Sequence, residues 1–186
     1  LTEPKDPPLT PASFEEVVQE ITTMLGRALP AEHLELLRRH SGTEGISGEH
    51  YVILWKAEEL IRFNREYEIE KYAPGIFLFG SNGGGEAYGF DTQDPSMPVV
   101  RVPFVGMDRC YAEPVTQGGE PLPVPDGATA SADHRRGKEL FEIKPVILGG
   151  DPVDPANKTW LTREQHFELV RFWNKVIRDL REQKSH

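Results

Sequence analysis

The segment Phe79–Asp91 reads FGSNGGGEAYGFD, and the use made of its glycines decides the fold. Four of the positions from Gly80 to Gly85 are glycine, and a carboxylate and a tyrosine, Glu86 and Tyr88, follow closely. A phosphate-binding loop would place such glycines between a strand and a helix N-terminus, where amides and helix dipole converge on the anion. Here EAYGFD alternates like a strand, and no Gly-Lys-Ser/Thr ending is present. The expectation is strand–turn–strand, with Gly80 and Gly83–Gly85 allowing positive φ and close backbone approach.

Outward from this turn, IFLFG (76–80), EAYGFD (86–91) and VVRVPF (99–104) read as successive strands broken by glycine or proline. YVILW (51–55) reads as a buried strand. Two helices are expected before it. Ser13 and Glu16 form a capping box ahead of Val17, Val18, Ile21 and Leu25, with Gly26 as the stop. Pro30 suits the first turn of AEHLELLRRH. AEELIRFNREYEIEKY (57–72) reads as one further helix, weakly started because Lys56 stands where a Ser, Thr or Asp cap belongs. Helix, helix, strand, helix and then a run of strands predicts an α+β domain rather than a βαβ sheet.

The division expected is a flexible lead at 1–12, an α+β core at 13–112, a Pro/Gly-rich loop at 113–140, and a tail at 141–186. In the tail KPVILGG (144–150) reads as a strand and DPVDPANKTW (151–160) as a turn-rich connector. Thr162 and Gln165 make a second capping box. His166, Leu169, Val170, Trp173, Ile177 and Leu180 then line one helix face. Each large apolar member contributes about 1.5–3 kcal/mol if buried, so the stripe is expected to dock on the core.

Net charge is −9 over 186 residues, with 13 Lys+Arg against 23 Asp+Glu in residues 1–140 and 8 against 7 in residues 141–186. Such an acidic body repels nucleic acid and attracts basic partners. Cys110 is the only cysteine, which excludes an internal disulfide and a cysteine-based metal cluster. No run approaches the roughly 18 apolar residues of a membrane span. LTEPKDPPLTP at the start is too polar and proline-rich for a signal peptide, although a chain opening on Leu1 leaves room for a removed leader; a cytoplasmic address is expected.

Enzyme signatures are absent: there is no G-x-S-x-G and no H-E-x-x-H. His33 and His40 are seven apart without a nearby third ligand, so no metal or cofactor is expected. Cys110 reads as a small half-buried thiol. Glu58, Glu59, Glu66, Glu68 and Glu70 could hold a catalytic pair, but a solvated helix face accounts for them more simply. Asn157-Lys158-Thr159 fits a glycosylation sequon, idle without secretion.

Taken in order, Ile53-Leu54-Trp55, Glu58-Glu59-Leu60-Ile61, Asn64, Tyr72-Ala73-Pro74-Gly75, Phe79 through Tyr88, Phe90-Asp91 and Val102 through Met107 resemble the SUKH superfamily. That group holds the SMI/KNR-type domains of fungal cell-wall regulators and many bacterial immunity proteins. The resemblance covers roughly residues 13–110. It implies a central, mainly antiparallel sheet flanked by helices, here with a C-terminal helical extension, and no enzyme activity. It also implies direct binding of a protein toxin, often a nuclease, and the acidic body fits a basic one. The surface residues assigned to that contact are Glu58, Glu59, Glu66 and Glu68, with Trp55, Asn82, Tyr88 and Asp91 as neighbours. Two other readings stand beside it: a regulator or scaffold like the fungal members, and a small-ligand binder or enzyme with a cleft around Trp55, Tyr88 and Asp91. The proline-rich stretch after Met107 and the tail from Phe141 depart from the family pattern.

Overall fold

The computed structural model describes residues 11–40, 42–47, 50–115 and 137–184. The expected lead, apart from its last two residues, and positions 116–136 of the expected loop lie outside the described residues. Six strands form one sheet in sequence order: β1 (Glu44–Ser47), β2 (His50–Leu54), β3 (Ile76–Ser81), β4 (Glu86–Asp91), β5 (Val99–Pro103) and β6 (Glu113–Pro114). All neighbours pair antiparallel, as a meander. Around it lie α1 (Pro11–Leu25), α2 (Ala31–His40), α3 (Leu60–Glu66), α4 (Ile69–Tyr72) and the long α5 (Arg163–Lys184). A second sheet pairs β7 (Lys138–Glu142) with β8 (Lys158–Thr162). This is the expected α+β architecture.

Strand β3 is buried along its whole length, and α3 and α4 pack on it. Asn64 of α3 clamps onto it: Oδ1 accepts from Leu78 N, and Nδ2 donates to Leu78 O and Leu60 O, each at 2.8 Å. The register slips between Leu78 and Gly80. Gly80 is required there by close approach, since a Cβ would lie 2.4 Å from the Ile53 carbonyl oxygen.

The glycine segment is the tight turn between β3 and β4. Gly83 (φ 68°) and Gly85 (φ 109°) adopt the left-handed region. Asn82 Oδ1 accepts from the amides of Gly84 (2.8 Å) and Glu86 (3.0 Å), which consumes donors an anion would need. A strand follows, not a helix.

Four local expectations are corrected. Helix α1 starts at Pro11, so Ser13 lies inside its first turn rather than capping it; proline suits that first turn. The single helix expected at 57–72 is a 3₁₀ turn (Ala57–Glu59), α3 and α4, broken where Glu68 turns left-handed at φ 52°. The break lets Tyr67, Ile69 and Tyr72 all face the core, which one straight helix could not do. KPVILGG is not a strand: Val146–Leu148 is a 3₁₀ turn, closed by Gly150 N donating to Pro145 O at 3.0 Å. The strands of this region are instead β7, which begins in the expected loop and ends in the expected tail, and β8, which begins in the expected connector.

The capping box of α5 is present in both directions, with Thr162 N donating to Gln165 Oε1 (3.0 Å) and Gln165 N to Thr162 Oγ1 (3.4 Å). Phe167 and Val170 join the core, while Leu169 and Trp173 pack half-buried against it. Leu180 is exposed. Asn174 fixes the helix to the loop after β5, accepting from Gly106 N (2.7 Å) and Met107 N (3.2 Å) and donating to Phe104 O (2.9 Å).

Candidate functional site

The eight residues assigned to partner contact separate into three groups. Trp55 and Tyr88 are core residues, 2% and 4% exposed, and have no surface to offer a partner. Trp55 packs on Phe63, Tyr67 and Phe104. Sequence reasoning placed these rings at the surface as neighbours of the glutamates, yet here both lie under cover. A cleft expected around Trp55, Tyr88 and Asp91 therefore has no exposed ring to line it.

Asn82 and Asp91 serve turns. Asn82 organises the glycine turn described above. Asp91 receives two hydrogen bonds from Arg109 Nη2, at 2.7 and 2.6 Å, and caps the following turn through Gln93 N. Burial opposes its charge, but these bonds outweigh it and hold the carboxyl below the usual carboxylate range.

The four glutamates remain at the surface in unequal settings. Glu58 is exposed in the 3₁₀ turn, and Glu59 beside it is half-buried, its carboxyl raised mainly by desolvation despite Lys56 and Arg62. Glu66 receives a hydrogen bond from Arg171 of α5 (2.5 Å), and Glu68 one from Lys71 (3.0 Å). Helix α1 packs on the Ala57–Glu59 turn and carries exposed Glu15, Glu16 and Glu20. Glu66 and Glu68 are tied into pairs, and so are Glu15 with Arg38 (2.7 Å) and Glu59 with Arg62 (3.7 Å).

Beneath lies a polar cluster the sequence reading did not single out. Glu139 of β7 is fully buried, accepting from Ser81 Oγ (2.7 Å) and from Arg163 Nη1 (2.5 Å). The guanidinium sits over the Trp55 and Phe63 rings, 5.3 Å from each centroid. Burial disfavours its charge, yet Glu139 and Tyr67 together hold its pKa above the ordinary arginine value. Tyr67 hydrogen-bonds His166 Nδ1 at 2.8 Å, and burial pushes its phenol well up. Burial, with the Arg163 charge, draws His166 down to about 3. Leu140 N donates to Gly83 O at 3.1 Å, so β7 also seats on the glycine turn. A buried glutamate between Lys138 and Leu140 gives little sequence signal, because charge at that position reads as loop.

Other candidates resolve as structure. His33 stacks on Phe90 at 4.0 Å, and burial lowers its pKa. Cys110 is exposed, not half-buried. Asn157 bonds Lys144 N, Lys144 O and Asp151 O, holding the tail's connector. Among the described residues no three His, Cys, Asp or Glu side chains gather as metal ligands, and no helix is long and apolar enough to cross a membrane.

An all-antiparallel meander clamped by helices, with its glycine turn committed to structure, defines an α+β domain of the SUKH type. The family model for the SMI1 / KNR4 family (SUKH-1) matches residues 11–117, more than half of the chain, and the protein belongs to that family. None of the curated proteins compared matches the chain. The matched segment takes in the six-stranded sheet and ends before β7, so Glu139, Arg163 and His166 come from outside it.

Proposed function

We propose that the protein is a non-enzymatic, cytoplasmic binding module that neutralises a basic protein toxin, of the kind a nuclease exemplifies, by direct contact. The observation that carries the reading is family membership across the whole six-stranded unit. The charge distribution supports it, because the deficit of basic residues lies in 1–140 and the tail is near neutral. Carboxylates on a binding face pair with the lysines and arginines a nuclease keeps for phosphates, and they speed encounter.

The contact face we assign centres on Glu58 and Glu59 with the neighbouring α1 carboxylates Glu16 and Glu20, and Glu66, Glu68, Asn82 and Asp91 stand as its extensions. Trp55 and Tyr88 act from below, by holding the surface in shape. Reversal at Glu66 would break its pair with Arg171, so it confounds binding with stability; Glu16 and Glu58 are the cleaner probes.

The test is stopped-flow association of the protein with the toxin encoded beside its gene, at several salt concentrations. The reading expects the Glu16→Lys/Glu58→Lys variant to associate about tenfold or more slowly at low salt, with the difference shrinking as salt rises. Equal association rates for variant and wild type would remove this face from the interface.

A further inference from the structure

Helix α5 carries more apolar surface than the core covers. Its buried residues are His166, Phe167, Val170, Asn174 and Ile177. At about 100° per residue, Leu169, Phe172, Trp173, Val176 and Leu180 share the sector next to that buried one. Phe172 is 55% exposed and Leu180 41%, and the other three are half-buried. The Phe172 and Trp173 rings stand edge to face at 5.2 Å. The tail turn extends this surface, because Val146 and Ile147 are exposed as well. Ile147 and Ile177 both reach Gly106, where a Cβ would lie 3.3 and 3.8 Å from their Cδ1 atoms.

Charge decides what can cover the sector. None of its five residues is charged, so it holds nothing that would attract a basic partner. An anionic membrane surface suits it no better. An interfacial helix carries Lys and Arg on its polar face, whereas α5 mixes Glu164, Glu168, Lys175 and Asp179 there, on a chain of net charge −9. Two copies of this chain repel wherever their acidic bodies meet, and an uncharged sector on the near-neutral tail is where they approach at least cost. Lys175 and Asp179 lie along one border of the sector. Neither has an ion-pair partner among the described residues, unlike Arg171 with Glu66 and Arg178 with Glu182.

We propose that a second copy of the chain docks on this face, the two α5 helices lying antiparallel about a two-fold axis beside Val176. The sector is complementary to itself in that arrangement. Phe172 of each copy meets Leu180 of the other, and on the bordering flank Lys175 of each faces Asp179 of the other. Two helices of 22 residues pack along about 33 Å with a width of about 10 Å, roughly 330 Å² per copy, to which Val146 and Ile147 add. That is less than the roughly 800 Å² per partner of a standard interface, so the dimer is a weak one, with a dissociation constant of about 10–100 μM. The proposal does not rest on the toxin-binding reading: its test needs no toxin, and none of the residues varied below belongs to the assigned contact face.

The test is sedimentation equilibrium of the full chain at low salt, with reductant present because Cys110 is exposed. The wild type is expected to pass from one chain mass to two between about 1 and 500 μM. Phe172→Asp, at an exposed position, is expected to stay monomeric throughout, with its unfolding midpoint at about 1 μM equal to that of the wild type. Lys175→Asp and Asp179→Lys each turn two attractions into repulsions and are expected to weaken the dimer about tenfold. Asp179→Lys is the sharper of the two, because it lowers the net negative charge and would strengthen an association governed by overall repulsion alone. Lys175→Asp/Asp179→Lys is expected to restore dimerisation to within about threefold of wild type. A wild type that stays monomeric would overturn the proposal, and binding to phosphatidylglycerol vesicles that Phe172→Asp abolishes would then give the face to a membrane. Association beyond two copies, dimerisation of Phe172→Asp as in wild type, or a double swap no better than its single members would each overturn it too.

Discussion

Tyr67, Glu139, Arg163 and His166 are the residues whose burial most constrains the molecule. The His166 imidazole has a pKa near 3 in the fold against about 6.5 when unfolded. Between those values the unfolded chain binds a proton that the folded chain refuses. The contribution is therefore present above about pH 6.5 and is lost as pH falls toward 3, by up to about 1.4 kcal/mol per pH unit. Urea unfolding across that range is expected to show the loss, and His166→Phe to flatten it between pH 6.5 and 4.5; an unchanged slope in the variant would refute the burial argument. Glu139→Gln leaves the Arg163 charge buried without its counter-ion. A loss of about 3–5 kcal/mol is expected in equilibrium unfolding, and a loss under about 1 kcal/mol would show that water reaches the pair. At this scale the sequence was least informative. Nothing local in KELFE says that Glu139 is buried, since its partners Ser81 and Arg163 lie 58 and 24 positions away.

Among elements, legibility followed how local the determining interaction is. The glycine turn was readable because φ preference and strand alternation are short-range properties, and Asn82 completes it within four residues. The α5 capping box and apolar stripe were readable for the same reason. The break at Glu68 and the turn at Val146–Leu148 were not, because packing of Tyr67, Ile69 and Tyr72 overrides helix periodicity in one case, and Pro145 and Gly149 override apolar run-length in the other. How α5 attaches to the sheet depends on Asn174, whose side chain meets three backbone groups of the Phe104–Met107 loop. Asn174→Ala would strand two donors and an acceptor in a buried site. The expected cost is about 2–4 kcal/mol in urea unfolding, and hydrogen exchange at Gly106 and Met107 should rise with it. Protection unchanged at those two amides would contradict the attachment described.

At the scale of the whole molecule, a family domain and a tail outside the family match share one core. The tail's helix covers Tyr67 and Phe63 through Phe167, and its β7 meets the glycine turn, so the turn that first suggested a ligand loop serves as a docking point for the extension. The fold and family were legible from the order of motifs. The pairing of the assigned carboxylates was not legible, because sequence shows where carboxylates fall and not which of them are already paired, as Glu66 is with Arg171 and Asp91 with Arg109. Neutralisation by direct binding is the central claim. Its most direct test is titration of the purified neighbouring toxin with this protein while the toxin's own activity is followed. The account predicts a linear fall in activity that ends near one equivalent at low salt, and a shift to higher ratios for Glu16→Lys/Glu58→Lys. Full toxin activity in the presence of excess folded protein would contradict it.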